Sequence, residues 1–286
     1  MAACNVCFRH CIIDENKTGF CGARGTIGGK VVSLNYAKVT SLALDPIEKK
    51  PLNRFMSGSK ILSVGSYGCN LRCPFCQNSE ISWGEEVKDW PFLAEDLTPE
   101  ELADMAYIYQ SRGNIGVAYT YNEPLVGYEY VYDCARLVHE RGMKNVLVTN
   151  GCVSLDVYDK IIPYIDAMNI DLKGFRDSFY SDTLKGDREM VMSFIKHAVK
   201  DCHVELTTLI IPRENDSVKE MEDISEWIAS LKDVYQNKDG SEIPLHISRF
   251  FPQFHMTDRD ATDVSLIYHL KDIASKNLKY VYTGNC

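Results

Sequence analysis

No apolar run among the 286 residues approaches the roughly 18 needed to cross a bilayer as a helix. The start, Met1-Ala2-Ala3-Cys4-Asn5, lacks a secretory hydrophobic stretch. Both absences argue for a cytoplasmic protein with no membrane partner. Internal repeats and low-complexity tracts are also missing, which excludes a solenoid or a disordered linker protein. Positive charge is short: 31 Lys and Arg stand against 40 Asp and Glu, a net charge of −9. That balance argues against a nucleic-acid partner. The one basic stretch, Lys49, Lys50, Arg54 and Lys60, reads as a solvated face. Cysteine, by contrast, is abundant, with 11 residues. In a cytoplasmic protein so many thiols point to metal or catalytic sites and not to disulfides. Cys134, Cys152, Cys202 and Cys286 are scattered and read as packing residues, since a free Cys behaves as a small buried hydrophobe.

The length suits one large α/β domain with a small appendage. Residues 1–60 are rich in Cys and Gly, with turn signals at Gly28-Gly29 and only short β-like runs. They read as a Cys-rich metal-binding segment that needs a staple, because so small a unit lacks a core of its own. From residue 61 to 286 strand and helix patterns alternate. Apolar runs at 61–64, 115–119, 146–149, 167–171, 204–211, 245–250 and 280–282 read as strands. Helices between them carry end signals, notably capping boxes at Thr98/Glu101 and Ser217/Glu220. Repeated β–α units imply a mainly parallel sheet whose chemistry gathers at the C-terminal strand ends. Pattern alone does not separate an open sheet from a partial barrel.

Directly after the first of these strands comes Gly68-Cys69-Asn70-Leu71-Arg72-Cys73-Pro74-Phe75-Cys76, a C-x3-C-x2-C triplet. Three thiolates so spaced can hold three irons of a [4Fe–4S] cluster and leave the fourth open to a small-molecule ligand. The competing reading is a zinc knuckle, but zinc takes four N/S ligands, commonly in Cys pairs, and no partner lies nearby. The triplet resembles that of the radical S-adenosylmethionine (radical SAM) superfamily. The resemblance implies an incomplete (β/α)6 barrel, a [4Fe–4S] cluster on Cys69, Cys73 and Cys76, and SAM on the open iron. One-electron reduction then cleaves SAM to methionine and a 5′-deoxyadenosyl radical, which abstracts hydrogen from a protein or small molecule.

Polar groups cluster where strands end. Thr120-Tyr121-Asn122-Glu123-Pro124 reads as a helix N-cap or as acceptors for an ammonium. It resembles the Gly-Gly-Glu-Pro motif of the superfamily, with Tyr121 and Asn122 in place of the glycines. Thr149 and Asn150, ahead of Gly151, read as a turn or as partners for a ribose or carboxylate. Alternation puts Asn169, Asp171 and Lys173 on one face, and Asp171-Leu172-Lys173 resembles a strand end in glycyl-radical activating enzymes. His203, Glu205 and Thr207 share a face that could line a substrate cavity. Arg249 and His255 flank an aromatic cluster suited to adenine stacking or a carboxylate clamp. Pro252-Gln253-Phe254-His255 resembles a Pro-x-His segment of the activating enzymes. The resemblance therefore gives Phe75, Gln77, Asn122, Glu123, Asn150, Asp171, Lys173 and His255 as cofactor-binding residues. It names no catalytic side chain.

Cys4, Cys7, Cys11 and Cys21 make a second, complete four-thiol set, for zinc or a second Fe–S cluster; His10 could replace one thiol. With Asp45-Pro46-Ile47-Glu48-Lys49-Lys50-Pro51-Leu52 they extend a resemblance over essentially the whole chain. That resemblance is to the radical SAM component of the AmmeMemoRadiSam system, a relative of pyruvate formate-lyase activating enzyme. It implies Memo-like and Amme-type partner proteins and an external electron donor such as flavodoxin or ferredoxin. The reading from a different class is a non-catalytic Fe–S or zinc protein, an electron-transfer or scaffold partner. It requires a fourth ligand for the triplet, from Cys134 or Cys152.

Overall fold

The computed structural model describes residues 1–83 and 94–286. Its main sheet runs in the order β1 (Ser41–Pro46), β2 (Lys60–Gly65), β3 (Asn114–Tyr119), β4 (Lys144–Thr149), β5 (Ala167–Asp171), β6 (His203–Ile210), β7 (Leu245–Arg249) and β8 (Val281–Gly284). β1 is antiparallel to β2, and every later neighbour is parallel. Parallel neighbours need crossovers. These are α1 (Pro99–Ile108), α2 (Tyr128–Glu140), α3 (Leu155–Ile161), α4 (Arg188–Asp201), α5 (Val218–Ala229) and α6 (Val264–Ala274). All seven runs read as strands in the sequence are strands. β1 and β8 are the two edges, with no ladder between them, so the sheet stays open.

Helix ends follow their signals with one exception. Thr98 and Glu101 form the reciprocal capping box expected of them. Ser217 accepts from the Glu220 N–H at 3.1 Å, but the Glu220 carboxylate does not return to the cap. It is buried and takes the Phe175 N–H at 2.8 Å and Arg176 Nε at 3.1 Å, fixing the turn that follows β5.

The two faces of the sheet have separate apolar cores. Leu62, Val117, Tyr119 and Leu147 pack under the helices. Ile61, Ala118, Val146 and Ala167 point the other way, onto Ile47 and Leu52. The segment after β1 thus folds under the sheet as a plug. Asn169 Nδ2 donates to the Pro51 carbonyl at 2.8 Å, and Glu205 accepts the N–H groups of Asn53 and Arg54 at 3.0 and 2.7 Å. His203 and His246 hold the same carboxylate at 2.9 and 2.7 Å. His203 and Glu205 do share a face, at the start of β6, where they anchor the floor. The solvated reading of the basic stretch fails for Lys50. It is buried, 3.0 Å from Asp45 and 4.7 Å from the Tyr121 ring centre.

The N-terminal residues are docked onto the sheet structure. Ala2–Ala3 pairs with Ile12–Ile13, and Arg24–Ile27 pairs with Lys30–Ser33 around Gly28 and Gly29, both at positive φ. Val6, Cys7 and Ile13 share the helix-side core, and Ser154 N–H donates to the Val6 carbonyl at 2.9 Å. Because β1 belongs to the main sheet, a division at residue 60 falls inside the sheet and not between two packed units.

Candidate functional site

The loop between β2 and residue 78 carries the triplet at the C-terminal edge of the parallel strands. Gly68 starts it at φ 95°, where a Cβ would lie 2.7 Å from Ala23 Cβ and 2.8 Å from the Cys21 carbonyl. Only glycine lets the loop lie this close to the N-terminal arm. Cys69, Cys73 and Cys76 are all free thiols. The Leu71 N–H and Asn150 Nδ2 donate to Cys69 Sγ at 3.4 and 3.7 Å. The Asn78 N–H and the Ser82 side chain serve Cys76. Burial pushes the Cys69 thiol well up, Cys73 up to about 12 and Cys76 upward. Buried thiols so displaced ionise only against a strong positive charge. Donors aimed at sulfur and three clustered thiols fit an iron–sulfur cluster.

Both proposed fourth ligands have partners of their own. Cys134 is buried in α2 against Tyr130, and the Cys152 thiol donates to the Asp187 carbonyl at 3.5 Å. Cys202 is likewise buried, as a packing residue would be, whereas Cys286 is exposed.

The strand ends grip the loop from both sides. Asn122 Oδ1 accepts the Ser66 N–H at 3.1 Å and its Nδ2 donates to the Gly68 carbonyl at 3.0 Å. Asn150 Nδ2 also donates to Asn70 Oδ1 at 2.9 Å. Tyr121 stands where the family pattern has glycine, and it adopts φ 74°, the left-handed backbone glycine would take. The Tyr121 hydroxyl donates to Asp45 at 2.9 Å, which helps hold that conformation.

Glu123 is buried. Burial pushes its carboxyl up to about 7, against donors at Asn150 N and Thr149 Oγ1, both 2.8 Å, and Leu125 N at 3.1 Å. With both oxygens so engaged, the side chain clasps the end of β3 to the end of β4.

Lys173 Nζ donates to Asp171 Oδ2 at 2.8 Å at the open end of β5. Burial opposes the ammonium, but Asp171 and then Cys73 outweigh it and hold the charge well above the usual lysine range. Asn169, on the same face, lies deeper and belongs to the plug. His255 N–H donates to the Pro74 carbonyl at 2.9 Å, and its ring lies 5.2 Å from Trp83 and 3.8 Å from Phe254. Gln253 Nε2 reaches the Phe75 carbonyl at 2.7 Å, so the 253–255 segment closes over the triplet. The Phe75 side chain is buried in the core, and Gln77 is exposed. Arg249 donates to the Thr262 carbonyl at 2.6 Å and covers Phe251, which ties it to its own loop.

Three contributors escape sequence reading. Asn70 links Asn150 to the Cys152 carbonyl, Arg72 donates to the Cys69 and Leu71 carbonyls, and Ser82 serves Cys76. Asn70 and Arg72 lie inside the triplet, so position was their available signal.

Cys4, Cys7, Cys11 and Cys21 come together around one small cavity. His10 is exposed and is not among the residues lining it. Among the described residues, no three His, Cys, Asp or Glu side chains already stand at spacing that would hold a metal ion.

Residues 63–228 match the model of the radical SAM superfamily, and the chain belongs to that superfamily. Membership implies a [4Fe–4S] cluster and SAM as cofactors. An uncharacterised protein of Methanocaldococcus jannaschii is 40% identical over 286 residues, covering 99% of this chain and 80% of its own. The pyruvate formate-lyase-activating enzyme of Clostridium pasteurianum is 26% identical over 172 residues, 58% of this chain and 68% of that one. The fold is shared with SuiB of Streptococcus suis, solved bound to S-adenosylmethionine, at a TM-score of 0.55 and 13% identity. That match covers 77% of this chain and 48% of SuiB. Among the described residues no helix is long and apolar enough to cross a membrane.

Proposed function

We propose that the chain is an activating-enzyme-like radical SAM enzyme that abstracts hydrogen from a protein or small-molecule substrate. The observation that carries this is the free Cys69, Cys73 and Cys76 set, served by Asn150, Ser82 and backbone N–H groups, while Cys134 and Cys152 bond to Tyr130 and the Asp187 carbonyl. Bound cluster and SAM together supply the 5′-deoxyadenosyl radical. The chain's own residues bind and orient. Asn122 and Asn150 hold the cysteine loop, and Glu123 locks the two strand ends beside it. Asp171 and Lys173 offer an acceptor and a donor for the charged ends of the cofactor. His255, Trp83 and Phe254 provide rings near the triplet for a base to pack against.

The finer assignment we propose is the radical SAM component of the AmmeMemoRadiSam system, acting in the cytoplasm. Memo-like and Amme-type proteins are its partners, with flavodoxin or ferredoxin as the electron donor. Its support is the string from Asp45 to Leu52, which carries the resemblance and which this fold uses as its plug.

Anaerobic reconstitution with iron and sulfide is expected to load about four irons on the triplet. Dithionite and SAM should then release 5′-deoxyadenosine, and Cys69→Ala, Cys73→Ala or Cys76→Ala should abolish that release. No release from a fully loaded sample, or wild-type release from any of the three variants, overturns the proposal.

A further inference from the structure

The four N-terminal thiols gather around one cavity beside the cysteine loop. Cys4, Cys7, Cys11 and Cys21 line a cavity of ≈ 10 Å³ together with Arg9 and Arg24. The Cys4 N–H donates to the Cys11 carbonyl at 2.9 Å, which closes the first loop, and a tight turn from Gly19 to Gly22 presents Cys21. The backbone N–H of Arg9 faces Cys7, and those of Ala23 and Arg24 face Cys21, as the Leu71 N–H faces Cys69 in the cluster loop.

We propose that this quartet binds a single tetrahedral ion of the zinc class, and that the resulting knot supports the cysteine loop. Four sulfurs are a complete zinc shell. A cavity with room for about one water molecule accepts one ion. Closing the shell needs the four sulfurs to converge on the cavity that these residues line. Binding releases the thiol protons to solvent and involves no redox step. The strands flanking the quartet are only 2–4 residues long, and the arm is otherwise held through Val6, Cys7 and Ile13 in the main core.

The knot meets the cysteine loop directly. Cys69 N–H donates to the Cys21 carbonyl at 3.3 Å, Arg9 Nε donates to the Asn70 carbonyl at 2.9 Å, and Arg72 donates to the Phe20 carbonyl. The metal site does not depend on the proposed activity, whereas the supporting role rests on the cluster that superfamily membership implies at the triplet.

Metal analysis of the full-length chain carrying Cys69→Ala, Cys73→Ala and Cys76→Ala together is the test. About one zinc and no iron per chain are expected, and cobalt in its place should give the thiolate charge-transfer bands of a tetrahedral sulfur site. Cys21→Ala should lose the zinc. It keeps the backbone carbonyl that meets Cys69, so reduced iron loading at the intact triplet would report loss of the knot. Iron and sulfide in the triple variant, no zinc there, or full zinc in Cys21→Ala would each overturn the metal site. Unchanged iron loading in zinc-free Cys21→Ala would overturn the supporting role. Should Cys21→Ala fail to fold, the cobalt spectrum of the triple variant still decides the metal site.

Discussion

Lys173 Nζ stands 2.8 Å from Asp171 Oδ2, and the pair lies within the electrostatic reach of both Cys73 and Cys76. A charge pair at the open end of a central strand either fastens the strand or receives a zwitterion. The two roles separate on substitution. Lys173→Ala is expected to weaken SAM binding by about 1.5–3 kcal/mol, the scale of a charge-assisted hydrogen bond, with little change in melting temperature. Asp171→Asn should act in the same direction. Calorimetric titration and thermal unfolding of both variants check this. A lowered melting temperature with unchanged SAM affinity would make the pair scaffold only.

Asn150 Nδ2 donates to Cys69 Sγ at 3.7 Å, and hydrogen bonds to cluster sulfurs help set reduction potential. Removing a donor disfavours the more negative, reduced state. Asn150→Ala is therefore expected to retain about four irons while its midpoint potential falls. Redox titration followed by EPR measures the shift. An unchanged or raised potential would show that this contact does not tune the cluster.

Glu205 gives the pH dependence. Burial raises its carboxyl, but His203, His246 and the Arg54 N–H together bring it from 4.5 down to about 2. A depressed carboxylate contributes stability above its unfolded value and loses it as pH falls through the folded one. Here that window runs from 4.5 down to about 2, and the contribution is about 3 kcal/mol. Glu205→Gln should cost about this much near neutral pH and progressively less as pH drops below 4.5. Denaturant unfolding at several pH values tests it; a cost that does not change between pH 7 and acid would contradict the assignment.

Leu52 is fully buried against Ile61, Ala118, Val146 and Ala167. Leu52→Ala leaves a hole in the plug and is expected to destabilise the fold by about 2–5 kcal/mol. An effect below about 0.5 kcal/mol, typical of surface changes, would show that the plug is not part of the packed core.

Strands were legible because parallel strands buried on both faces read as short apolar runs, and each such run from residue 61 onward became one. Alternation also placed Asn169, Asp171, Glu205 and Thr207 on the right faces. What it could not give was height. Face is a local property of the pleat, whereas the level of a residue along a strand depends on register with neighbours. Glu205, near the start of β6, lies opposite Asn169 and binds the plug, while Asp171, opposite Thr207, reaches the mouth. The plug itself was hidden by its composition. Lys49 and Lys50 are adjacent, yet only Lys50 is buried, because Asp45 and the Tyr121 ring receive it. The left-handed backbone of Tyr121 was unreadable for a similar reason. Its support comes from Asp45, 76 positions away in sequence.

The cysteine triplet shows the complementary case. Its spacing announced the chemistry, because three thiols must reach one small object from a single loop. Of the donors that serve those sulfurs, Leu71, Asn78 and Ser82 are local, but Asn150 comes from a distant strand end, and no spacing rule encodes it.

Residues 47–55 stopper the underside of the sheet, so Asn169 and Glu205 are committed to backbone groups there, while the charged pair Asp171–Lys173 stands toward the opposite ends of the strands.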